Sequence, residues 1–478
     1  MVRFADHPAS AWVLGILALG LAAIGAKPYA GSWNDGCRLA AVESLLDRGT
    51  LAIDDSIFCH PPKRLIDAGR PPYDPARPDL LAVGTLDKLY VRGHFHSDKP
   101  AVVSILMAGI YWPLMALGVP GPSERPDIFC YSMTLLTSGL GYAIAVGCLW
   151  VLGRRVGLEP RWRLFWLAAF ALSTFALTYT QYVNAHAMEL GVAAAICLLL
   201  ADLGERPHFG SLRLIALGSL AGFGFNLDFG SGPPLAACLF MIVAWRTRRL
   251  LPILTFSLAM LPWVAAALGI NYAIAGGIKP INMYPEHYRF PGSPFTEENL
   301  TGFFRHEPLN QVLYAAGMLF GKKGFANHNL PLLLVLFAGI RVLRRPFATR
   351  PEMLALAGWF AMTWLLYAVL SNNMGGACCS MRWLMPFLAP GFWLLARLLR
   401  DRPEYRSDFA VVAGWGFALA ALMWWKGPWT GRMVPLLWPI VGLALIHWGL
   451  VIGRRWKNRV RETKELAADF WIGERRAA

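Results

Sequence analysis

Charged residues are scarce in this sequence: 16% of its 478 positions are Asp, Glu, Lys or Arg, where a soluble domain carries about 25%. With 56% apolar residues and 20 tryptophans, that shortage excludes a soluble globular class and leaves a chain whose main solvent is lipid. Carboxylates are the scarcer sign, 30 against 45 Lys and Arg, for a formal net charge of +15. The basic residues sit in short clusters between apolar runs, so no nucleic-acid partner is expected. The 8 cysteines include no Cys-x-x-Cys pair and no Cys/His spacing of a zinc site, which argues against a structural metal. Cys37 and Cys59 share one polar stretch and are either a disulfide pair or two free thiols. No repeat of fixed period and no low-complexity tract is present, which argues against transporter folds built from duplicated halves.

What the sequence does have is long apolar runs. A span needs about 20 such residues, and candidates lie at 11–29, 128–153, 161–179, 186–203, 212–227, 232–245, 251–274, 329–343, 353–370, 383–399, 408–425 and 433–452. A further run, 101–118, is interrupted by Trp112-Pro113, and charge decides how it is read. If 101–118 does not cross, one set of loops holds seventeen arginines, from Arg154 to Arg406, and the short loops of the other set hold Arg382, Lys426 and Arg432. Positive residues stay cytoplasmic. If 101–118 crosses, the seventeen face outward. The sequence therefore predicts an all-α polytopic membrane protein of about 12 transmembrane helices (about 11–13) with both termini cytoplasmic. Residues 1–478 form one transmembrane domain, and the long loops 30–127 and 275–328 face out, with 101–118 as an interfacial helix of the first. The first run also admits a second reading as a cleaved signal peptide, because Ala-Ala-Ile-Gly-Ala precedes Lys27.

On this topology the polar residues of interest gather at the outer side. The stretch from Gly31 to Pro100 is too long for a connector and calls for a functional reason. Asp35 and Arg38 share a face if they open a helix. The carboxylate can then take a proton from a hydroxyl, and the arginine can hold it ionised or bind a phosphate; the plainer alternative is a helix-capping aspartate with a local ion pair. His96 and Lys99 stand where the chain re-enters the membrane, with Lys99 in reach of a lipid phosphate. Asn184 and His186 open a span at its outer mouth, and Asp228 occupies a very short outward turn, where an ionisable group marks a pathway or a site. Tyr284 belongs to Tyr284-Pro285-Glu286-His287-Tyr288-Arg289, a loop suited to stacking on sugar and binding phosphate. Arg382 faces out against the positive-inside tendency and implies an anionic partner.

Asn34-Asp35-Gly36-Cys37-Arg38-Leu39, then Leu46-Asp47-Arg48-Gly49-Thr50, then Ser97-Asp98-Lys99-Pro100 resemble in order and spacing the first outer loop of the GT-C superfamily of integral membrane glycosyltransferases. The likeness is to the bacterial protein-mannosyltransferase-like and aminoarabinose-transferase-like branch. It also touches Tyr182 to His186, Gly321 to Phe325 and Gly375 to Pro386. The sequence departs from the family where an aromatic-Gly-Pro-Arg element is replaced by Cys379-Ser380-Met381-Arg382, and where Asn184 and His186 stand at the mouth in place of a second outer acid.

The resemblance implies transfer of a sugar from a polyprenyl-phosphate carrier to an acceptor hydroxyl, with inversion, at the periplasmic face of a bacterial inner membrane. The acceptor would be a cell-envelope glycan or lipid. Asp35 would be the base and Lys99 would stabilise the leaving phosphate with Arg38 or Arg382. His96, Asn184, His186, Asp228 and Tyr284 would be further substrate contacts. No nucleotide site is needed, because the carrier supplies the activation, and His96 or His186 is a candidate ligand for a divalent metal ion. The rival reading is a polyprenyl-linked sugar flippase or transporter, which needs polar residues through the inner half of the bundle; Glu189 is the chief one near a span's outer end. A non-catalytic receptor or assembly partner is a third reading. Residues 55–90 receive no role.

Overall fold

The computed structural model describes residues 7, 9–206, 209–296, 300 and 307–477, without the side chains of 459 and 461–477. Part of the second long loop, 297–299 and 301–306, is therefore outside the described residues. The chain begins with α1 (Ser10–Gly25) and continues into the first loop, which forms α2 (Trp33–Arg48), β1 (Lys88–Val91), β2 (His94–Ser97) and α3 (Ala101–Ala116). The body follows as α4 (Pro126–Val156), α5 (Pro160–Leu172), α6 (Ala185–Glu205), α7 (Ser211–Leu227), α8 (Gly232–Thr247) and α9 (Leu250–Ala275). After α10 (Pro308–Phe320) come α11 (Leu333–Leu343), α12 (Arg350–Leu370), α13 (Leu388–Asp401), α14 (Arg406–Lys426) and α15 (Leu437–Ala477). Apart from α2, α3 and α10, these helices fall on the twelve predicted runs. Six helical stretches, in α4, α6, α9, α12, α14 and α15, are long and apolar enough to cross a membrane, and α1, α3, α7, α8 and α11 are apolar but shorter. The protein is an all-α polytopic membrane protein apart from one two-stranded hairpin. That hairpin pairs Lys88 with Ser97 and Val91 with His94. Its turn, Arg92-Gly93, has positive φ at both residues (50° and 91°), the backbone that a tight hairpin requires.

Two predicted spans are broken helices. α5 stops at Leu172 and is followed by a 3₁₀ turn, Leu177–Gln181, while α13 is preceded by a 3₁₀ stretch, Arg382–Phe387. Backbone freed from a helix at membrane depth has to find partners inside the protein. Asn329 Oδ1 accepts from the Phe175 N–H at 3.2 Å, the Ser173 hydroxyl donates to Ala413 O at 3.1 Å, and the Tyr179 hydroxyl donates to Ser380 O at 3.2 Å. The two broken ends thus lean on one another and set Arg382 at the head of its segment.

Helices approach closely where side chains are missing. A Cβ on Gly191 of α6 would lie 2.6 Å from Gly141 O of α4, and one on Gly218 of α7 would lie 2.2 Å from Phe256 O of α9. In lipid, such small-residue contacts supply the packing that the hydrophobic effect does not.

The first loop is folded, and its middle, residues 55–90, wraps α2. The helix begins at Ser32, whose Oγ accepts from the Asn34 N–H, and ends at Gly49 in the left-handed region. Tyr73 is fully buried against Gly36, where a Cβ would come within 2.3 Å of the phenol oxygen, and it donates to Phe58 O at 2.6 Å. Thr85 Oγ1 donates to Trp33 O at 2.9 Å. As a result α2 is buried along most of its length, from Asp35 to Ser44. The run 101–118 forms α3, which packs on α2 and on α9.

Candidate active site

The first loop, the α7–α8 turn, the second long loop and the broken start of α13 enclose a cavity of about 660 Å³. Five of the predicted site residues line it: Arg38, Lys99, His186, Asp228 and Arg382. They come from segments far apart in sequence, yet they line one cavity.

Arg38 projects from α2 and is only 5% exposed, yet its Nε and Nη1 have no hydrogen-bond partner. The predicted ion pair between Asp35 and Arg38 is not among the described contacts, because Asp35 turns to Gly31 and Ser32 while Arg38 lines the cavity. Arg382 likewise has Nε and Nη1 without partners, and its guanidinium lies over the Trp429 ring, 5.1 Å from the centroid. Guanidinium N–H groups buried without acceptors cost free energy, and an anion between them would relieve it.

Lys99 is held differently. Its Nζ lies 3.0 Å from Asp87 Oδ2 and 2.6 Å from Asp98 Oδ2. Burial would lower the lysine's pKa, but Asp87 and Asp98 more than offset it and the value is raised. The Asp98 carboxyl is itself pushed up by burial against the pull of Lys99. Lys99 is therefore a charge already neutralised in the resting cavity wall, in contrast to the two arginines.

Asp35 is completely buried and does not line the cavity. Its Oδ2 accepts from the Gly31 N–H at 2.7 Å, and its Oδ1 accepts from the Ser32 hydroxyl. Ser32 does line the cavity, so the carboxylate reaches it through one hydroxyl. Burial raises the Asp35 pKa to about 6, with the hydrogen bonds from Ser32 and Gly31 opposing.

Three other predicted residues stand away from the cavity. Asn184 is buried and caps α6, its side chain accepting from the His186 N–H at 2.9 Å. His96 sits on β2 with Nδ1 3.2 Å from Leu51 O, and burial lowers its pKa; of the two candidate metal ligands, His186 is the one that lies in a group of metal-type donors among the described residues. Tyr284 packs against His287 with the rings tilted by 36° and 4.9 Å between centroids, while Tyr288 from the same loop lines the cavity. Cys37 and Cys59 are both buried free thiols.

Several cavity residues were not singled out by sequence. Tyr367 of α12 donates to Asp228, 2.6 and 2.7 Å from its two oxygens, and stacks on Trp383 with centroids 4.2 Å apart. Asp87 gave no signal, because only the folding of the first loop carries it to Lys99. Glu189, one turn after His186 on α6, does not line the cavity, and the sequence offered it only as the polar residue that bears on a transporter.

No protein-family model matches the chain. Among curated proteins, the fluoride-specific ion channel FluC of Burkholderia vietnamiensis (strain G4 / LMG 22486) is 42% identical over 83 residues, 16% of this chain and 57% of that protein. The chain thus spans under two thirds of that relative. Among solved structures the fold is similar to ArnT from Cupriavidus metallidurans in the apo state, with TM-score 0.49, 13% identity, and coverage of 93% of this chain and 76% of that one. It is likewise similar to ArnT from Cupriavidus metallidurans bound to undecaprenyl phosphate, with TM-score 0.48, 14% identity and the same coverage, 93% and 76%.

Proposed function

We propose that this protein transfers a sugar from a polyprenyl-phosphate carrier to an acceptor hydroxyl, with inversion, at the periplasmic face of a bacterial inner membrane. The acceptor is a cell-envelope glycan or lipid. Two guanidiniums, Arg38 and Arg382, facing one cavity with unpartnered N–H groups at one end of an apolar bundle, carry this reading. They suit a phosphate that arrives on a lipid. The order of Asp35, Lys99 and Arg382 along the chain supports it through the GT-C likeness.

In the reaction, the acceptor hydroxyl gives its proton to Ser32 Oγ, and the Ser32 proton passes to the Asp35 carboxylate. The acceptor oxygen bonds to the anomeric carbon as the bond from that carbon to the phosphate oxygen breaks on the opposite face. The polyprenyl phosphate leaves with the electron pair, stabilised by Arg38 and Arg382. Lys99, fixed between Asp87 and Asp98, orients that wall of the site. Such a base is worth about 10²–10⁴ in rate.

The flippase alternative has less support. The strongest buried charges away from the cavity are spent on ion pairs between helix ends, such as Arg246 with Glu352 at 2.7 Å and Arg455 with Asp408 at 3.0 Å. Purified protein supplied with polyprenyl-phosphate sugars and candidate acceptors is expected to release polyprenyl phosphate. Asp35→Asn should slow release about 100-fold or more. Unchanged turnover in Asp35→Asn would remove Asp35 as base, and lipid movement without turnover would favour the transporter.

A further inference from the structure

His186 and Asp228 in the cavity wall and the buried Glu189 beside them bring three metal-type donors together. His186 Nδ1 lies 3.3 Å from Glu189 Oε2 and 3.7 Å from Asp228 Oδ2, and one donor atom from each residue falls within 4.8 Å of the others. The remaining carboxylate oxygens are already held. Ser231 Oγ donates to Glu189 Oε1, and the Gly230 N–H donates to Asp228 Oδ1 at 2.8 Å. Tyr367 steadies Asp228 from the other side. Glu189 Oε2 and Asp228 Oδ2, the latter also within 2.7 Å of the Tyr367 hydroxyl, converge on one ring nitrogen. An imidazole N–H serves one acceptor well, and both separations exceed the roughly 2.7–2.9 Å of a charge-assisted hydrogen bond. Donors sharing an ion at bonds near ~2.1 Å lie roughly 3.0–3.4 Å apart; the 3.3 Å separation falls in that range and the 3.7 Å one is slightly longer.

Charge points the same way. Two carboxylates and one imidazole, with Glu189 fully buried, call for about two positive charges close by. Arg38 and Arg382 share the cavity, but neither hydrogen-bonds to Glu189 or Asp228 among the described contacts. Arg38, 5% exposed, instead has bare N–H groups in the same cavity that call for an anion. A divalent cation beside a phosphate answers both demands. The mixed imidazole and carboxylate set suits Mn²⁺ or Zn²⁺ better than Ca²⁺, which prefers oxygen alone. Tyr367 and Ser231 are the outer-shell partners that such ligands require.

We infer that His186, Glu189 and Asp228 bind one divalent cation of the Mn²⁺ or Zn²⁺ type, whose open positions face the cavity and take an oxygen of the phosphate held by Arg38 and Arg382. The phosphate half of this inference rests on the function proposed above; the metal half does not.

The full-length protein in nanodiscs is titrated with Mn²⁺, and free Mn²⁺ is read by electron paramagnetic resonance. One site per chain is expected, with Kd below about 100 µM and displaced by Zn²⁺. Asp35→Asn should retain it, whereas Glu189→Gln and Asp228→Asn should each weaken it at least about tenfold, as loss of a ligand does. Elution volume and thermal unfolding identify any variant that fails to fold, and the other variant then decides. Wild-type affinity no tighter than that of a folded Glu189→Gln or Asp228→Asn protein overturns the site. Because Asp35→Asn separates metal binding from turnover, failure of sugar transfer and failure of the metal site are distinguishable. With undecaprenyl phosphate added, bound Mn²⁺ is expected to show phosphorus hyperfine coupling, and its absence at saturating carrier overturns the bridge.

Discussion

Arg38 is a residue whose burial makes sense only with a ligand present. Its unpartnered Nε and Nη1 carry a desolvation cost that folding alone does not repay. Arg38→Gln is therefore expected to weaken polyprenyl-phosphate binding about 10–100-fold, equivalent to about 1.5–3 kcal/mol for hydrogen bonds to a charged group. The same change should leave thermal stability unchanged or raised in the ligand-free protein, which a melting curve without lipid checks. A fall in stability without loss of affinity would mean that the guanidinium has a structural partner. Asp35 makes a second prediction at this scale. Its carboxyl titrates at about 6, raised by burial, and a base must be deprotonated to act. Turnover should rise with pH through about 6 and level off above it, and this limb should vanish in the residual activity of Asp35→Asn. For stability the sign is opposite. The contribution of a group whose folded value is raised is fully present below its unfolded value near about 4 and is lost as pH rises through about 6. A protein that melts at higher temperature toward pH 7 on account of Asp35 would contradict the assignment.

At the scale of helices, α7 and α9 meet through Gly218 and Gly222, where a Cβ would come 2.2 Å from Phe256 O and 2.7 Å from the Trp263 side chain. Gly218→Val would force the pair apart and shift the α7–α8 turn that carries Asp228. A melting temperature lowered by several degrees and a cavity with weakened ligand binding are expected, and Gly218→Ser should be milder. The spacing Gly218-x-x-x-Gly222 is visible in the sequence, as were the twelve apolar runs, because hydrophobicity is a local property. The breaks in α5 and α13 were not visible. They depend on Asn329 and Ser173 meeting backbone groups of Phe175 and Ala413, and partners so distant leave no local pattern. The site divides in the same way. Arg38, Lys99, His186, Asp228 and Arg382 were legible as charges out of place beside apolar runs. The loss of the Asp35–Arg38 pair, the capture of Lys99 by Asp87, and the role of Tyr367 follow from the first loop and α12 closing on the cavity. Asn184, His96 and Tyr284 share their segments' polarity but spend it on capping, strand and loop contacts.

Across the whole molecule the two ends of the bundle carry different chemistry. At one end, basic residues pair between helices: Arg155 with Asp202, Arg246 with Glu352, Arg406 with Glu159 at 3.0 Å, and Arg455 with Asp408. These contacts join loops that the sequence had assigned to one side by charge alone. At the other end lie Arg38, Lys99, His186, Asp228 and Arg382 around the cavity. Most of the helices connecting the ends are continuous, and the two broken ones are tied to each other, so the orientation of one loop fixes that of all. The positive-inside tendency then predicts the arginine-rich end in the cytoplasm and the cavity outside. A periplasm-active phosphatase reporter fused after Leu117 should be active. The same reporter after Arg155 should be silent, while a cytoplasm-active reporter there should work. Activity of the phosphatase after Arg155 would require α3 to cross the membrane, turning the arginine clusters outward and the cavity inward. A carrier sugar displayed at the outer leaflet could not then reach Arg38 and Arg382, so this one fusion tests the orientation and the proposed reaction together.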